Sequence, residues 1–68
     1  MKIKIQGDDR IVTLRNGAEY YQFATPDCVI LRLRNAANRW EEIAKFATHS
    51  DAMLFLRGVE YTLPRAAA

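Results

Sequence analysis

The sequence predicts an α+β domain, a small antiparallel sheet of four or five strands with one C-terminal helix packed on a face. Three observations support this prediction. Hydrophobic and polar residues alternate in segments 2–6 and 28–34, as half-buried strands require. The dipeptide "NG" at 16–17 separates two β-rich runs, and the pattern T-x-x-D at 48–51 is typical of a helix start. The predicted strands therefore precede the predicted helix along the sequence.

Length and composition limit the class of protein. A chain of 68 residues forms one domain, and about 60% of its unfolded surface is buried on folding. Hydrophobic residues make up 50% and charged residues 26%, which is typical of a globular protein. The formal charge of +2 is too small to require a nucleic-acid or membrane partner. One cysteine, Cys28, and the lack of an apolar run of bilayer length predict a cytoplasmic protein that does not enter membranes.

The first half of the chain predicts three strands. "KIKIQ" (2–6) is followed by the turn signal "GDD", and "RIVTLR" (10–15) is a second β-rich run. Asn16 and Gly17 both tolerate positive φ, which predicts a type I′ hairpin turn. "AEYYQFA" (18–24) should therefore return antiparallel to the second strand.

The clearest alternation lies in "CVILRLR" (28–34), after the break "TPD" at 25–27. Pro26 cannot donate a hydrogen bond to a strand ladder, so the preceding strand should end before it. The alternation places three aliphatic side chains on one face and two arginines, Arg32 and Arg34, on the other. This segment is the strongest strand prediction in the chain.

The segment "NAANRWEEIAKFA" (35–47) fits two structures. Trp40, Ile43 and Ala44 satisfy helical spacing, and the alanines favour a helix. The predicted cap at Thr48 starts the helix after this segment, which favours a strand with "NAAN" as a hairpin loop. In that strand Trp40, Ala44 and Phe46 would line one side. The helical alternative remains open at the level of sequence.

The predicted helix spans 48–59, with Gly58 placed to stop it, and an extended tail with a frayed end covers 60–68. Met53 and Leu54 lie off its inward face, so the helix has more apolar surface than one sheet covers. The predicted core consists of Ile3, Ile5, Val12, Leu14, Phe23, Val29, Leu31, Leu33, Trp40, Phe46, Ala52, Phe55 and Leu56.

The sequence offers few residues for catalysis. His49 is the only histidine and Cys28 the only cysteine, which excludes a multi-histidine or paired-cysteine metal site within one chain. His49 is most simply a solvated residue of the first helical turn. Cys28, at the start of a strand, is more typical of a small hydrophobe than of a nucleophile. Glu41 and Glu42 are adjacent, so on a strand they face opposite sides. We therefore expect a non-enzymatic protein without a metal or cofactor.

Binding is the better prospect, and two surfaces are candidates. Lys2, Lys4, Arg32 and Arg34 occupy outward positions, and would form a nucleic-acid-binding stripe if their strands lay side by side. The alternative interpretation is that these charged residues keep an open sheet face soluble and prevent an edge strand from pairing with another chain. Tyrosine, tryptophan and arginine also dominate protein-binding hot spots. The predicted partner-binding residues are Tyr20, Tyr21, Arg32, Arg34 and Trp40.

These observations favour a protein-binding module that inhibits or modulates a larger protein, with a small nucleic-acid-binding regulator as the alternative. Surplus apolar surface also makes a homodimer plausible. In size, single cysteine and sheet-plus-helix layout the chain resembles small accessory proteins carried by phages and mobile elements, including some anti-CRISPR inhibitors. The resemblance covers the general plan only, so it implies no role for any residue.

Overall fold

The computed structural model describes residues 1–63 as a five-stranded antiparallel sheet followed by one helix. The elements are β1 (Lys2–Gln6), β2 (Asp9–Thr13), β3 (Glu19–Ala24), β4 (Val29–Arg34), β5 (Trp40–Phe46) and α1 (His49–Thr62). The strands lie in the order β1-β2-β3-β4-β5, so each hairpin places neighbours in sequence beside each other in space. The predicted fold class is confirmed. Residues 64–68, and with them the predicted frayed end, lie outside the described residues.

The "NG" turn between β2 and β3 forms as predicted, but it is not type I′. The Gly17 amide donates to the Leu14 carbonyl at 2.9 Å, and the Leu14 amide donates to the Ala18 carbonyl at 2.9 Å. Gly17 has a φ of 88°, whereas Asn16 is not among the described residues with positive φ. This is a three-residue loop that ends in one left-handed residue, and only glycine adopts that conformation freely.

The segment 35–39 closes the predicted hairpin between β4 and β5. The Asn35 side-chain oxygen accepts from the Ala37 amide at 2.9 Å and from the Arg39 amide at 3.1 Å. Asn38 has a φ of 64°, a conformation that asparagine tolerates better than most residues. The loop therefore resembles the "NG" loop in plan, and the helical alternative for 36–47 is wrong.

A bulge in β5 reverses the side on which Trp40 lies. Leu31 pairs with Ala44 while Arg32 pairs with Glu42, which leaves Ile43 as an extra residue without a partner. Ala44 therefore faces the helix, but Trp40, on the other side of the bulge, pairs with the outward Arg34. The prediction that Trp40 and Ala44 share one side is wrong, because one extra residue shifts the period of two.

The helix starts where the capping pattern predicts. The Thr48 side chain accepts from the Asp51 amide at 3.2 Å, and the first helical residue is His49. The helix does not stop at Gly58 but continues to Thr62, so the predicted end is wrong. Because the helix continues past Gly58, Val59 and the first residue after the helix, Leu63, pack against the core. This packing offsets the conformational cost of a glycine inside a helix.

The core lies between the helix and the sheet face that it covers. Its buried cluster consists of Val12, Leu14, Tyr20, Leu31, Met53 and Leu56, and the helix packs across β3, β4 and β5. Several predicted core residues are instead exposed, namely Ile3 at 48%, Ile5 at 69%, Trp40 at 38% and Phe55 at 41%. Ile3 and Ile5 are exposed because they belong to β1, beyond the strands that the helix covers. Phe23 pairs with Ile30 on the sheet face opposite to the helix.

One polar side chain, Gln22, is completely buried in this core. Its amide nitrogen donates to the Met53 sulfur at 3.1 Å, and its oxygen lies 2.8 Å from Nδ1 of His49. The other ring nitrogen of His49 lies 2.8 Å from the Asp8 carbonyl oxygen. His49 is therefore half-buried rather than simply solvated, because it connects the helix start to β3 and to the β1–β2 turn.

We expect Gly58→Ala to stabilise the protein by about 0.5–1 kcal/mol, since alanine loses less conformational entropy within a helix. Apart from its chain neighbours and the backbone of its own helix, a Cβ at Gly58 would meet no atom of the described residues within 4 Å. Gly17→Ala is the matched control, since its site is equally open but has a φ of +88°. It should destabilise by about 1–2 kcal/mol. Thermal unfolding measures both, and destabilisation by Gly58→Ala would contradict a helix that continues through residue 58.

His49→Ala should lower the free energy of unfolding by about 1–3 kcal/mol, because it leaves the buried Gln22 oxygen without a donor. Adding Gln22→Leu should recover part of that loss, with a coupling energy on the order of 0.5–3 kcal/mol between the two positions. Ser50→Ala, at the exposed neighbouring position, is the control and should change stability by less than about 0.5 kcal/mol. Strictly additive losses in urea unfolding would show that Gln22 and His49 do not interact.

Candidate interaction surface

The sheet face opposite to the helix is open, and we call it the outer face. Strand register sets its membership, since residues directly opposite each other in an antiparallel pair share a face. Tyr21 pairs with Ile11 and with Arg32, and Phe23 pairs with Ile30. By this rule the outer face includes Ile11, Tyr21, Phe23, Ile30, Arg32, Arg34 and Trp40, together with the charged residues Lys2, Lys4, Asp9, Glu19, Glu42 and Lys45. It is built by the alternate residues of the same strands whose other residues form the core.

Three aromatic rings on the outer face contact one another across strands. The rings of Tyr21 and Trp40 have centroids 5.5 Å apart at 68°, and those of Tyr21 and Phe23 are 6.5 Å apart at 67°. These edge-to-face arrangements are favourable and fix the ring orientations. Tyr21 is therefore the centre of a small aromatic cluster, with Trp40 towards the edge of the sheet.

Two guanidinium groups lie over this cluster. The Arg32 guanidinium carbon lies 5.0 Å from the centre of the Phe23 ring, and that of Arg34 lies 5.7 Å from the Trp40 ring. Both distances fall within the range of cation–π attraction. Arg34 also lies 3.2 Å from the Glu19 carboxylate, but both side chains are more than a third exposed, so that ion pair adds little stability. The arginines retain donors that a partner could use.

Asp9 holds the tyrosine of the cluster in place. The Tyr21 hydroxyl donates to one carboxylate oxygen of Asp9 at 2.8 Å, and the other oxygen accepts from the Ala24 amide at 2.9 Å. The hydrogen bond to Asp9 raises the pKa of Tyr21, and partial burial and the negative charge of Asp9 act in the same direction, while Arg32 opposes them. The phenol is therefore kept neutral and its orientation is fixed.

The structure brings together four of the five residues predicted to bind a partner: Tyr21, Arg32, Arg34 and Trp40. Tyr20 is not among them, since it lies in the core with 8% exposure and faces the helix. Adjacent residues of a strand face opposite sides, so only one of the two tyrosines could be outward. Phe23 is the residue that the sequence analysis missed. It shares its side with Tyr21, and that period of two was the signal that could have found it.

The predicted basic stripe does not form. Lys4, Ile11, Tyr21 and Arg32 follow one another across four strands, so Lys4 and Arg32 are separated by three strand spacings, roughly 14 Å. Lys2 and Arg34 are separated in the same way, with Thr13 and Glu19 between them. The strands carrying these cations do not lie side by side, which was the condition for a stripe.

Other reactive groups lie apart from the outer face. The Cys28 sulfur lies 3.5 Å from the Thr25 hydroxyl in the β3–β4 turn. Across residues 1–63, no three His, Cys, Asp or Glu side chains come together as metal ligands. In the same part of the chain, no helix has the length and apolar character that crossing a membrane requires.

No protein-family model, curated protein or solved structure matches this chain. Function is therefore argued from the surface that its own residues form. The outer face combines a rigid aromatic cluster, two accessible guanidinium groups and no covering element among residues 1–63.

The pKa of Tyr21 should fall towards its ordinary value of 10.0 when Asp9 is replaced by Asn, because the negative acceptor is lost. In the unchanged protein the hydrogen bond from the protonated Tyr21 phenol to Asp9 stabilises the fold. This contribution is fully present below pH 10 and is lost as the pH rises through the raised folded-state pKa of Tyr21. Asp27→Asn, an exposed acid of the β3–β4 turn, is the control and should leave Tyr21 unchanged. NMR titration of ring-labelled tyrosine measures the shift, and equal titration of Tyr21 in both variants would rule out the Asp9 contact.

Proposed function

We propose that the protein is a non-enzymatic interaction module that binds a larger protein through the outer face and thereby inhibits or modulates it. The observation that carries this proposal is the aromatic cluster of Tyr21, Phe23 and Trp40, with Arg32 and Arg34 lying over its rings. Tryptophan, tyrosine and arginine are the residue types most enriched in binding hot spots.

The side chains of the outer face are partly ordered before a partner binds, which favours this surface as a binding site. Immobilising a flexible side chain at an interface costs on the order of 0.5–1.5 kcal/mol. Tyr21 is already held by Asp9, and the two arginines already contact rings. A partner therefore meets side chains whose conformational freedom is reduced before contact. Their remaining exposure, 38% for Trp40, is the surface that binding would bury.

The size of the molecule also fits. A standard protein interface buries roughly 800 Å² on each partner, which is about one sixth of the 4893 Å² accessible here. An elongated molecule with extents of 43 × 26 × 20 Å can supply that area from one long side. The outer face is such a side, and partner binding to it needs no rearrangement of the core.

Nucleic acid is the second candidate ligand, because rings and arginines on an open sheet are also how single strands are bound. Three acids weaken this candidate. Asp9 and Glu19 make contacts with outer-face residues, and Glu42 pairs with Arg32 across strands. Phosphate binding would therefore meet negative charge between the cations.

The deciding experiment compares capture of cellular partners by the tagged protein and by an Arg32→Ala, Trp40→Ala variant. Loss of two hot-spot side chains should weaken the captured complex by at least about 30-fold, or about 2 kcal/mol. The matched control is Leu54→Ala, Arg57→Ala, which removes the same number of exposed side chains from the helix and should retain binding. Circular dichroism verifies that both variants fold.

Retained binding in the sheet variant, or equal loss in the helix control, would contradict the proposal. Complex formation that survives nuclease treatment and changes little with salt supports a protein partner. Affinity that falls steeply with salt, in proportion to the phosphates contacted, would instead select the nucleic-acid function.

A further inference from the structure

The open edge of the sheet at β1 lies at the opposite end of the strand order from Trp40 of β5. β1 is the first strand in the sheet order, pairs with β2 alone among residues 1–63, and has all five residues exposed. Its five pairs with β2 run without a register shift, whereas the other edge strand, β5, is interrupted by the bulge at Ile43. An edge strand presents unpaired backbone donors and acceptors, and a bulge is one device that blocks further pairing. β1 is therefore the edge that remains regular.

Two isoleucines of β1 project beyond the cover of the helix. Ile3 is 48% exposed and Ile5 is 69% exposed, both on the side where the helix packs on β3, β4 and β5. Ile3 also lines a groove of about 500 Å³ with Tyr61, whose side chain is 88% exposed. The groove lies between β1 and the end of the helix, and Met1, Arg15, Arg57 and Glu60 also line it.

Two lysines occupy the other side of the same strand. Lys2 pairs with Thr13 and Lys4 with Ile11, so neither faces an acid on the neighbouring strand. The ion pairs found within residues 1–63 join Met1 to Glu60 and Arg34 to Glu19, and do not include these lysines. The open side of β1 is thus apolar on one face and positively charged on the other.

We propose that β1 accepts an additional strand from a partner whose residues alternate between acidic and apolar. Backbone hydrogen bonds to the free edge supply the pairing, as in other cases of strand addition. The partner's apolar side chains lie beside Ile3 and Ile5, one strand spacing away, and its carboxylates lie beside Lys2 and Lys4. The alternation of β1 selects both the register and the charge of the partner strand.

A second copy of this chain fits the edge less well. A two-fold antiparallel pairing that sets Ile3 of one copy opposite Ile5 of the other sets Lys4 opposite Lys4. Like charges directly opposite each other destabilise a strand pair. Pairing of β1 with β5 of another copy meets the bulge at Ile43. In that register the lysines oppose self-association, whereas they favour an acidic strand.

A titration with two synthetic peptides tests the proposal. One capped peptide alternates glutamate and valine over the length of β1, and the other has lysine in place of glutamate. The acidic peptide should bind at least about ten-fold more tightly, since two favourable charge pairs replace two repulsive ones. Amide NMR signals of Ile3 and Ile5 should shift and exchange more slowly with solvent, while those of Arg34 and Trp40 should not change.

The Lys2→Glu, Lys4→Glu variant provides the matched reversal, because both positions are exposed and the fold should persist. It should prefer the lysine peptide. Binding that ignores peptide charge, shifts confined to the outer face, or no shift at β1 with either peptide would overturn the proposal. Concentration-dependent shifts at β1 without peptide would show self-association instead and would also overturn it. The outer-face variants give the separate test of the proposed function.

Discussion

Apolar burial beneath a single helix is the constraint on which the whole structure depends. A helix of 14 residues is roughly 21 Å long and about 10 Å wide, whereas adjacent strands lie about 4.8 Å apart. Such a helix covers two or three strands on one face of a sheet, and here it packs on β3, β4 and β5. The chain folds by placing alternate strand residues, among them Val29 and Leu31, beneath that cover, where helix residues such as Leu56 are also buried.

Among residues 1–63, the outer face and the β1 edge lie outside the cover of the helix, and their residues are half-buried or exposed. The outer face carries rings and arginines that stabilise one another, so its apolar residues are partly shielded without a second layer. The β1 edge carries isoleucines that lie outside the core and lysines that pair with Thr13 and Ile11 rather than with an acid. Both proposed binding surfaces exist because one helix covers only part of the sheet. The outer face offers side chains to a partner, whereas the β1 edge also offers backbone hydrogen-bonding groups.

Local signals in the sequence predicted the fold class well, because they depend on contacts within a few residues. The Thr48 cap located the helix start, and the alternation of β4 separated Val29, Leu31 and Leu33 from Arg32 and Arg34. The helix end was wrong because a glycine that can stop a helix is tolerated when later residues, here Val59, gain burial.

The site was only partly predictable, because the face that a residue occupies depends on the whole sheet. A period of two shows that Tyr20 and Tyr21 face opposite sides, but not which side receives the helix. The extra residue at Ile43 reverses the side of Trp40, and nothing in the local pattern marks that bulge. Gln22 was missed because a polar residue is buried only where partners such as His49 come from distant segments.

Nuclear Overhauser contacts of the single tryptophan test the account most directly, since every statement about the outer face requires Trp40 to lie away from the helix. The structure predicts contacts from the Trp40 indole protons to the Tyr21 ring and to the Arg34 side chain. Contacts from the indole to Leu56 or Met53 would place Trp40 in the core beneath the helix. That result would contradict the assignment of the two sheet faces and remove the proposed interaction surface.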